Sequence, residues 1–189
     1  MPMLLAFGGS LRRDSLNHRL AMIAADEAEK LGATVKRVRL HDYALPLFNQ
    51  DLEDEQVPDG VFALKDDLIG VDGFLIASPE YNGFFSAALK NALDWASRPR
   101  EHEAPMACFK GKVAGLLAAS PGALGGLRAL PHLRLQISNL GAHVVPPIAA
   151  IGSAHSVLSA LTEGSDDTAL KRILPVVHAT VHAARVLGQ

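Results

Sequence analysis

The chain has 189 residues, of which 49% are hydrophobic and 20% charged, with a formal net charge of −2. This composition excludes disordered and fibrous proteins and is typical of a single globular domain, expected to span residues 1–189. The charge gives no basic surface for nucleic acid, and the single cysteine, Cys108, excludes an internal disulfide and indicates a reducing cytoplasm.

The first predicted elements are a short strand and a long helix. Met3-Leu4-Leu5-Ala6-Phe7 is a continuous apolar run, typical of a strand buried on both faces. It is too short to span a membrane and lacks the basic start of a signal peptide, so we expect no membrane partner. Apolar residues at helical spacing then predict a helix from Leu16 to Leu31, with Gly32 as its stop.

The turn between this strand and helix, residues 8–17, has the composition of an anion site. Ser10, Arg12 and Ser15 stand beside the unpaired N–H groups of a helix N-terminus, which together suit a phosphate monoester. The alternative is a tight turn in which Ser15 is an N-cap and the arginines are solvated. The chain lacks both G-x-G-x-x-G and a complete Walker sequence, which disfavours a P-loop ATPase.

The next stretch predicts an edge strand and a long connection. Residues 34–40 alternate apolar and charged side chains, as in a strand with one exposed face. Residues 41–60 contain Pro46, Pro58 and an acidic cluster, which predict a functional or mobile loop with solvated carboxylates. A helix follows over about residues 61–69.

The second half predicts three more strands, each followed by a helix or a loop and a helix. The strands are expected at residues 73–78, 112–119 and 143–146, the last ended by Pro146 and Pro147. The helices are expected at residues 89–96, 127–140 and 166–187, with Pro175 kinking or splitting the last. Two loops stand out, residues 78–83 and the small-residue tract 120–126.

This alternation predicts an α/β protein with a doubly wound, five-stranded parallel sheet in the flavodoxin-like order 2-1-3-4-5. In such sheets a ligand lies beyond the carboxyl ends of the strands, where strands one and three diverge. The loops after strands one, three and four all open onto that edge. Their convergence favours a phosphate-bearing ligand.

With these loops in place, the sequence resembles the flavodoxin-like NAD(P)H-dependent FMN reductases, a family that includes quinone, azo-dye and chromate reductases. Residues 9–17 match the family's G-S-x-R-x-x-S-x-N phosphate loop, and residues 79–83 are similar to its P-E-Y-N flavin-ring loop. Residues 120–126 resemble its third ligand loop less specifically. Ser86 lies in a segment where many members have a proline, and residues 102–108 are irregular.

The resemblance implies an FMN cofactor, NADPH or NADH as hydride donor, and the following binding residues. The phosphate would be held by Ser10, Arg12, Ser15, Leu16 and Asn17, the ring by Pro79, Glu80, Tyr81, Asn82 and Gly83, with further contacts from Ser120, Gly122, Gly125 and Gly126. No side chain is expected to act as acid or base, because the flavin carries the chemistry. No metal is expected, because His178 and His182 fall on the polar stripe of the last helix.

The expected function is hydride transfer from NAD(P)H through bound FMN to a small acceptor such as a quinone, azo compound, chromate or free flavin. An electron carrier of the flavodoxin type is the alternative, disfavoured by the net charge of −2 and the 5% aromatic content. A serine hydrolase would need a G-x-S-x-G turn, which Ser120 lacks. We also expect a homodimer or homotetramer, because the apolar tract at Phe84 and Phe85 needs covering.

Overall fold

The central feature of the computed structural model, which describes residues 1–188, is a five-stranded parallel sheet. The strands in chain order are β1 (Met3–Gly8), β2 (Thr34–Arg37), β3 (Gly73–Ala77), β4 (Glu80–Tyr81), β5 (Phe84–Phe85), β6 (Val113–Ala119) and β7 (His143–Ile151). The sheet has the order β2-β1-β3-β6-β7, while β4 and β5 form a separate antiparallel hairpin. With the hairpin set aside, this is the predicted 2-1-3-4-5 order, which is confirmed.

Helices cover both faces of the sheet. They are α1 (Leu16–Lys30), α2 (Gln50–Glu55), α3 (Asp59–Ile69), α4 (Ala87–Ser97), α5 (Ala129–Asn139), α6 (Ala154–Thr162) and α7 (Thr168–Leu187). The buried side chains of α1, α6 and α7 form one hydrophobic core with the sheet, and those of α3, α4 and α5 form a second. None of the helices in this part of the chain has the length and apolar character needed to cross a lipid bilayer.

The apolar run of β1 is explained by these two cores. Leu4 and Ala6 pack into the core beneath α1 and α7, whereas Leu5 and Phe7 point to the opposite face and pack with α3 and α4. Because successive side chains of a strand alternate between faces, a strand covered on both sides must be apolar at every position. The prediction of a buried first strand is therefore confirmed.

The predicted end of the last strand is wrong. β7 continues through Pro146 and Pro147 to Ile151, and its pairing with β6 shifts register between Ala114 and Leu116. Among the strands of residues 1–188, β7 pairs only with β6, so it is an edge strand, where a missing N–H is tolerated. Residues 145–147 of β7 lie opposite a single residue of β6 and form a bulge, and regular pairing resumes at Ile148.

Other differences arise from tertiary contacts. Residues 41–60 are not an open loop: a 3-10 helix (Leu40–Tyr43) and α2 lie there, and the acidic side chain of Glu53 pairs with Arg98 at 2.8 Å instead of being solvated. β2 ends at Arg37, three residues earlier than predicted. α7 is one helix that runs through Pro175, and α6 and the β4–β5 hairpin were not predicted.

Candidate functional site

The site begins where β1 ends and loop 1, residues 9–15, leads into α1. A side chain at Gly8 would place its Cβ 2.5 Å from the backbone nitrogen of His18, so only glycine allows the start of α1 to lie so close to the strand. Loop 1 is held by a hydrogen bond of 2.8 Å from Gly9 N–H to the Ala77 carbonyl. The Ser86 hydroxyl donates to the Gly9 carbonyl.

The first turn of α1 presents unpaired donors. Ser15 is the N-cap, and its hydroxyl accepts the N–H of His18 at 3.1 Å. Within residues 1–188 the backbone N–H groups of Leu16 and Asn17 have no protein acceptor. These groups and the helix dipole attract an anion, so the two functions proposed for Ser15, capping and lining an anion site, are compatible.

Asn17 has a different part in the site from Ser10 and Arg12. Its side chain is only 3% exposed, and its amide donates to the Ala119 carbonyl at 2.8 Å while its oxygen accepts the Ala119 N–H at 2.8 Å. The amide therefore ties the start of α1 to the end of β6. The group that Asn17 can offer an anion is its backbone N–H.

Four segments enclose one open cleft at the carboxyl edge of the sheet. They are loop 1, the hairpin β4–β5, the loop after β6 and the start of α6. Nine of the predicted residues line it: Ser10, Arg12, Ser15, Leu16, Asn17, Pro79, Glu80, Tyr81 and Ser120. The structure therefore brings the three predicted loops together at one cleft.

Arg12 supplies unpaired positive charge to this cleft. The chain has eleven arginines, all in the described region, and nine of them make a hydrogen bond or ion pair through the guanidinium. Arg12 and Arg13 do not, and of these two only Arg12 lines the cleft. The carboxylate of Asp14 also lines the cleft and offsets part of the charge.

The hairpin fixes the second loop. Asn82 (φ 53°) and Gly83 (φ 81°) both have positive φ, as a two-residue type I′ turn requires. Both lie at the hairpin tip, and neither is among the residues that line the cleft, so their predicted contact with a flavin stays a prediction. Glu80 accepts the backbone N–H of Arg128 at 3.0 Å and its Nε at 2.7 Å, which clamps the hairpin to the start of α5. Tyr81 remains 53% exposed at the mouth of the cleft.

The third loop contributes Ser120, whose N–H donates to the Ile151 carbonyl at 3.1 Å. Gly122, Gly125 and Gly126 are not among the residues that line the cleft. Gly125 has φ 64°, and a Cβ there would lie 2.5 Å from the Ile151 carbonyl carbon. This glycine lets the loop pack against the end of β7. The predicted contact of these three glycines with a flavin stays a prediction.

Sequence reasoning missed four residues of the cleft. They are Asp14, Ala119, Pro121 and His155. His155 lies in the first turn of α6, which reaches the cleft only because β7 continues past its prolines. No local signal identifies it, whereas Asp14 lies inside the recognised loop motif. In the described residues no group of three or more His, Cys, Asp or Glu side chains is placed to hold a metal ion.

The donors of the cleft fit the phosphate of FMN. A phosphate monoester carries two negative charges near neutral pH and accepts several hydrogen bonds. Here the Leu16 and Asn17 N–H groups, the Ser10 hydroxyl and the unpaired Arg12 guanidinium converge on one cavity. Charge-assisted hydrogen bonds of this kind are stronger than neutral ones.

Comparisons with known proteins agree with this geometry. The sequence profile described as NADPH-dependent FMN reductase matches residues 2–156. An NAD(P)H-dependent FMN reductase of Pseudomonas aeruginosa is 36% identical over 171 residues, covering 89% of this chain and 88% of the relative. A quinone reductase of Pseudomonas putida is 34% identical, covering 85% and 83% of the two chains.

A comparison of the fold with solved structures also finds a flavoenzyme that uses NAD(P)H. The structure of a flavoenzyme NAD(P)H:(acceptor) oxidoreductase from Paracoccus denitrificans superposes with a TM-score of 0.82 at 31% identity. The superposition covers 99% of each chain, so the similarity includes all three loops of the cleft.

Proposed function

This chain belongs to the NADPH-dependent FMN reductase family and is an FMN-dependent oxidoreductase that uses NAD(P)H, and we propose that its FMN binds in the loop 1 cleft. The observation that carries this proposal is the convergence of an unpaired arginine, Arg12, with the unpaired N–H groups of α1. We propose further that residues 1–189 act as one FMN-binding domain, as the match over residues 2–156 suggests.

The chain's own residues would hold the cofactor at both ends. Arg12, Ser10 and the N–H groups of Leu16 and Asn17 would bind the phosphate. Pro79, Glu80 and Tyr81 would line the ring, and Ser120 would lie on the opposite wall of the cleft. Bound FMN supplies the hydride-transfer chemistry between the nicotinamide donor and the acceptor.

The protein's contribution is positioning and electrostatics. The Glu80–Arg128 clamp holds the hairpin in one place, so the backbone groups of residues 79–81 face the cleft in a fixed geometry. Tyr81 at the mouth of the cleft is exposed to solvent, so nothing else in residues 1–188 covers this entrance. The nicotinamide donor, and after it the electron acceptor, would enter there. In this proposal no side chain transfers a proton, because the flavin carries the chemistry.

We propose a quinone as the acceptor class that best suits the chain. The quinone reductase of Pseudomonas putida shares 34% of its residues with this protein over most of both chains. A small planar acceptor can occupy the same open cleft as the nicotinamide, after the donor has left. Azo compounds, chromate and free flavin are the other acceptors to test.

The experiment is a steady-state assay of the purified, FMN-reconstituted protein. We expect oxidation of NADPH or NADH that depends on FMN and on added benzoquinone, and a yellow protein with the absorption of oxidised flavin. A protein that cannot be reconstituted with FMN, or that oxidises neither nucleotide, would contradict the proposal. A protein that accepts electrons only from a reductase would be a carrier, a function that the reductase relatives disfavour.

We propose that a second copy of the chain covers the apolar surface beside the cleft. Phe84 is 45% exposed, and its ring centroid lies 4.6 Å from that of His132 on α5, with the two rings tilted by 31°. Leu135, one turn further along α5, is 61% exposed. Sedimentation should show a homodimer or homotetramer, and Leu135→Glu should dissociate it. A wild-type monomer with bound FMN would contradict this assembly. We also propose a cytoplasmic location, because a sequence with a single cysteine, Cys108, has no internal disulfide and suits a reducing compartment.

A further inference from the structure

Loop 1 has a second side that the FMN cleft does not use. Two adjoining cavities of about 240 Å³ and about 370 Å³ lie there, and Leu11 and His41 line both. We call this space the outer groove. Its first cavity lies between loop 1, the 3-10 helix and α4, and its second between loop 1 and the end of β2. Together the cavities have the size of a small-molecule site, roughly 300–1,000 Å³.

Loop 1 forms the wall between the FMN cleft and the outer groove. Successive residues of the loop alternate between the two: Ser10, Arg12 and Asp14 line the cleft, whereas Leu11 and Arg13 line the outer groove. The two arginines whose guanidinium groups have no partner among residues 1–188 therefore lie on opposite sides of one loop. A ligand in the outer groove would lie directly beside the cofactor site without touching the FMN phosphate donors.

The outer groove is basic at one end. The guanidinium of Arg13 has no protein partner in residues 1–188, and that of Arg39 donates to the Arg13 carbonyl at 2.5 Å, which places the two residues side by side. His18 lies near them: burial and then Arg39 lower the pKa of its imidazole below 6.5, while Asp42 raises it by less. Asp42, 3.5 Å from His41, is the carboxylate at this end.

The other end of the groove is apolar. Leu11, Leu40 and Leu45 line it, with Ala88 at the start of α4. The amide of Asn91 also lines this end, but it already accepts the Phe48 N–H at 2.7 Å and donates to the Pro46 carbonyl at 2.8 Å. Its oxygen and one of its two N–H groups are therefore engaged within the protein, and the side chain forms a wall of the groove. An apolar slot next to two arginines suits a flat base linked to a phosphate.

We propose that the outer groove binds the adenosine end of NADPH, with Arg13 and Arg39 at its 2′-phosphate. The inference deepens the proposed function, on which it rests, because the nicotinamide at the other end of the same molecule must reach the neighbouring flavin. NADPH and NADH differ only in this phosphate. The groove therefore gives the enzyme a preference for NADPH.

The test compares Arg13→Ala and Arg39→Ala with the wild type on both nucleotides. Loss of a charged hydrogen bond to phosphate should raise KM for NADPH about tenfold and change KM for NADH less than about twofold. Arg185→Ala is the matched control, since Arg185 pairs with the Leu31 carbonyl at the far end of α7. Equal changes for both nucleotides, or none, would overturn the inference.

A binding measurement separates this inference from the proposed function. Calorimetry on the FMN-loaded protein should show that adenosine 2′,5′-bisphosphate binds more tightly than 5′-AMP, and that Arg13→Ala removes the difference. Inorganic phosphate should not compete at the same concentration, which distinguishes a nucleotide site from a simple anion site. If FMN binds but the two nucleotides bind equally, the outer groove is not the 2′-phosphate site and the FMN site stands. If FMN does not bind, the proposed function fails first.

Discussion

At the scale of single residues, the site depends on which side of loop 1 each side chain occupies. Arg12 and Arg13 are adjacent, and neither guanidinium has a partner in the part of the chain that the structure describes, yet one lines the FMN cleft and the other the outer groove. The path of loop 1, which includes a turn at residues 13–14, places the two side chains on opposite sides of the loop. Two neighbouring arginines can thus act on two different ligands.

Arg12→Ala should weaken FMN binding about tenfold to a hundredfold. A hydrogen bond to a charged group contributes about 1.5–3 kcal/mol, and the guanidinium has no other partner whose loss would affect the fold. Fluorescence quenching on titration with FMN measures the change. Arg13→Ala is the control and should shift the FMN dissociation constant less than about threefold, since Arg13 faces the outer groove. Equal losses in the two variants would contradict the assignment.

The residues of the cleft could be predicted from the sequence to the extent that they act locally. Ser10, Arg12 and Ser15 lie within a few residues of a strand end and a helix start, so a motif identifies them. Asn17 was predicted as a ligand, but its amide contacts Ala119, a partner 102 positions away. His155 was missed for the same reason, since only the path of β7 brings it to the cleft.

At the scale of elements, the Asn17–Ala119 pair joins the start of α1 to the end of β6. Asn17→Ala should lower the free energy of unfolding by about 2–4 kcal/mol, because it leaves a buried N–H and a buried carbonyl without partners. Urea denaturation measures this loss. FMN should restore part of the stability by mass action. A variant as stable as the wild type would show that water replaces the side chain.

The Glu80–Arg128 clamp joins the hairpin to α5. Glu80→Gln and Arg128→Ala should each weaken FMN binding, and the double variant should be no worse than the more affected single one. The coupling free energy should be about 1 kcal/mol, since the carboxylate is buried and the guanidinium largely exposed. A double-mutant cycle on FMN affinity measures it. Additive losses would mean that the two residues act separately.

The elements that the sequence predicted well are those with strong local patterns. β1, β3 and β6 are continuous apolar runs, and buried central strands must have that pattern. The end of β7 was not predictable, because proline is a reliable stop signal only when a strand needs its N–H. Of the acidic tract, only Glu53 was wrongly predicted to be solvated, because its partner, Arg98, is distant in sequence. Asp51, Asp54 and Glu55 are exposed, as predicted.

At the scale of the whole molecule, an ion pair fastens the loop between α4 and β6 to the body. Lys65 is 3% exposed, and its Nζ lies 3.0 Å from Oε2 of Glu103, while Arg100 lies 2.5 Å from the other carboxylate oxygen, Oε1. Burial alone would raise the pKa of Glu103, but Lys65 and Arg100 outweigh it and the pKa lies below 4.5. The charged carboxylate therefore stabilises the fold above about pH 4.5, and this contribution is lost as the pH falls through the lowered pKa.

Glu103→Gln should lower the free energy of unfolding at pH 7 by about 3 kcal/mol, because it leaves Lys65 as a buried charge without its counter-ion. The difference from the wild type should shrink as the pH falls below 4.5, where the wild-type carboxylate also becomes protonated. Chemical denaturation at pH 7 and pH 3.5 measures both values. A difference independent of pH would rule out the ion pair as the cause.

The central claim is that the cleft at loop 1 grips FMN by its phosphate, and the most direct test compares FMN with riboflavin, which has the same ring and no phosphate. Both dissociation constants are measured on the same cofactor-free protein by flavin fluorescence. The unpaired Arg12 and the N–H groups of α1 predict that FMN binds at least about a hundredfold more tightly. Equal affinities for the two flavins would contradict the account.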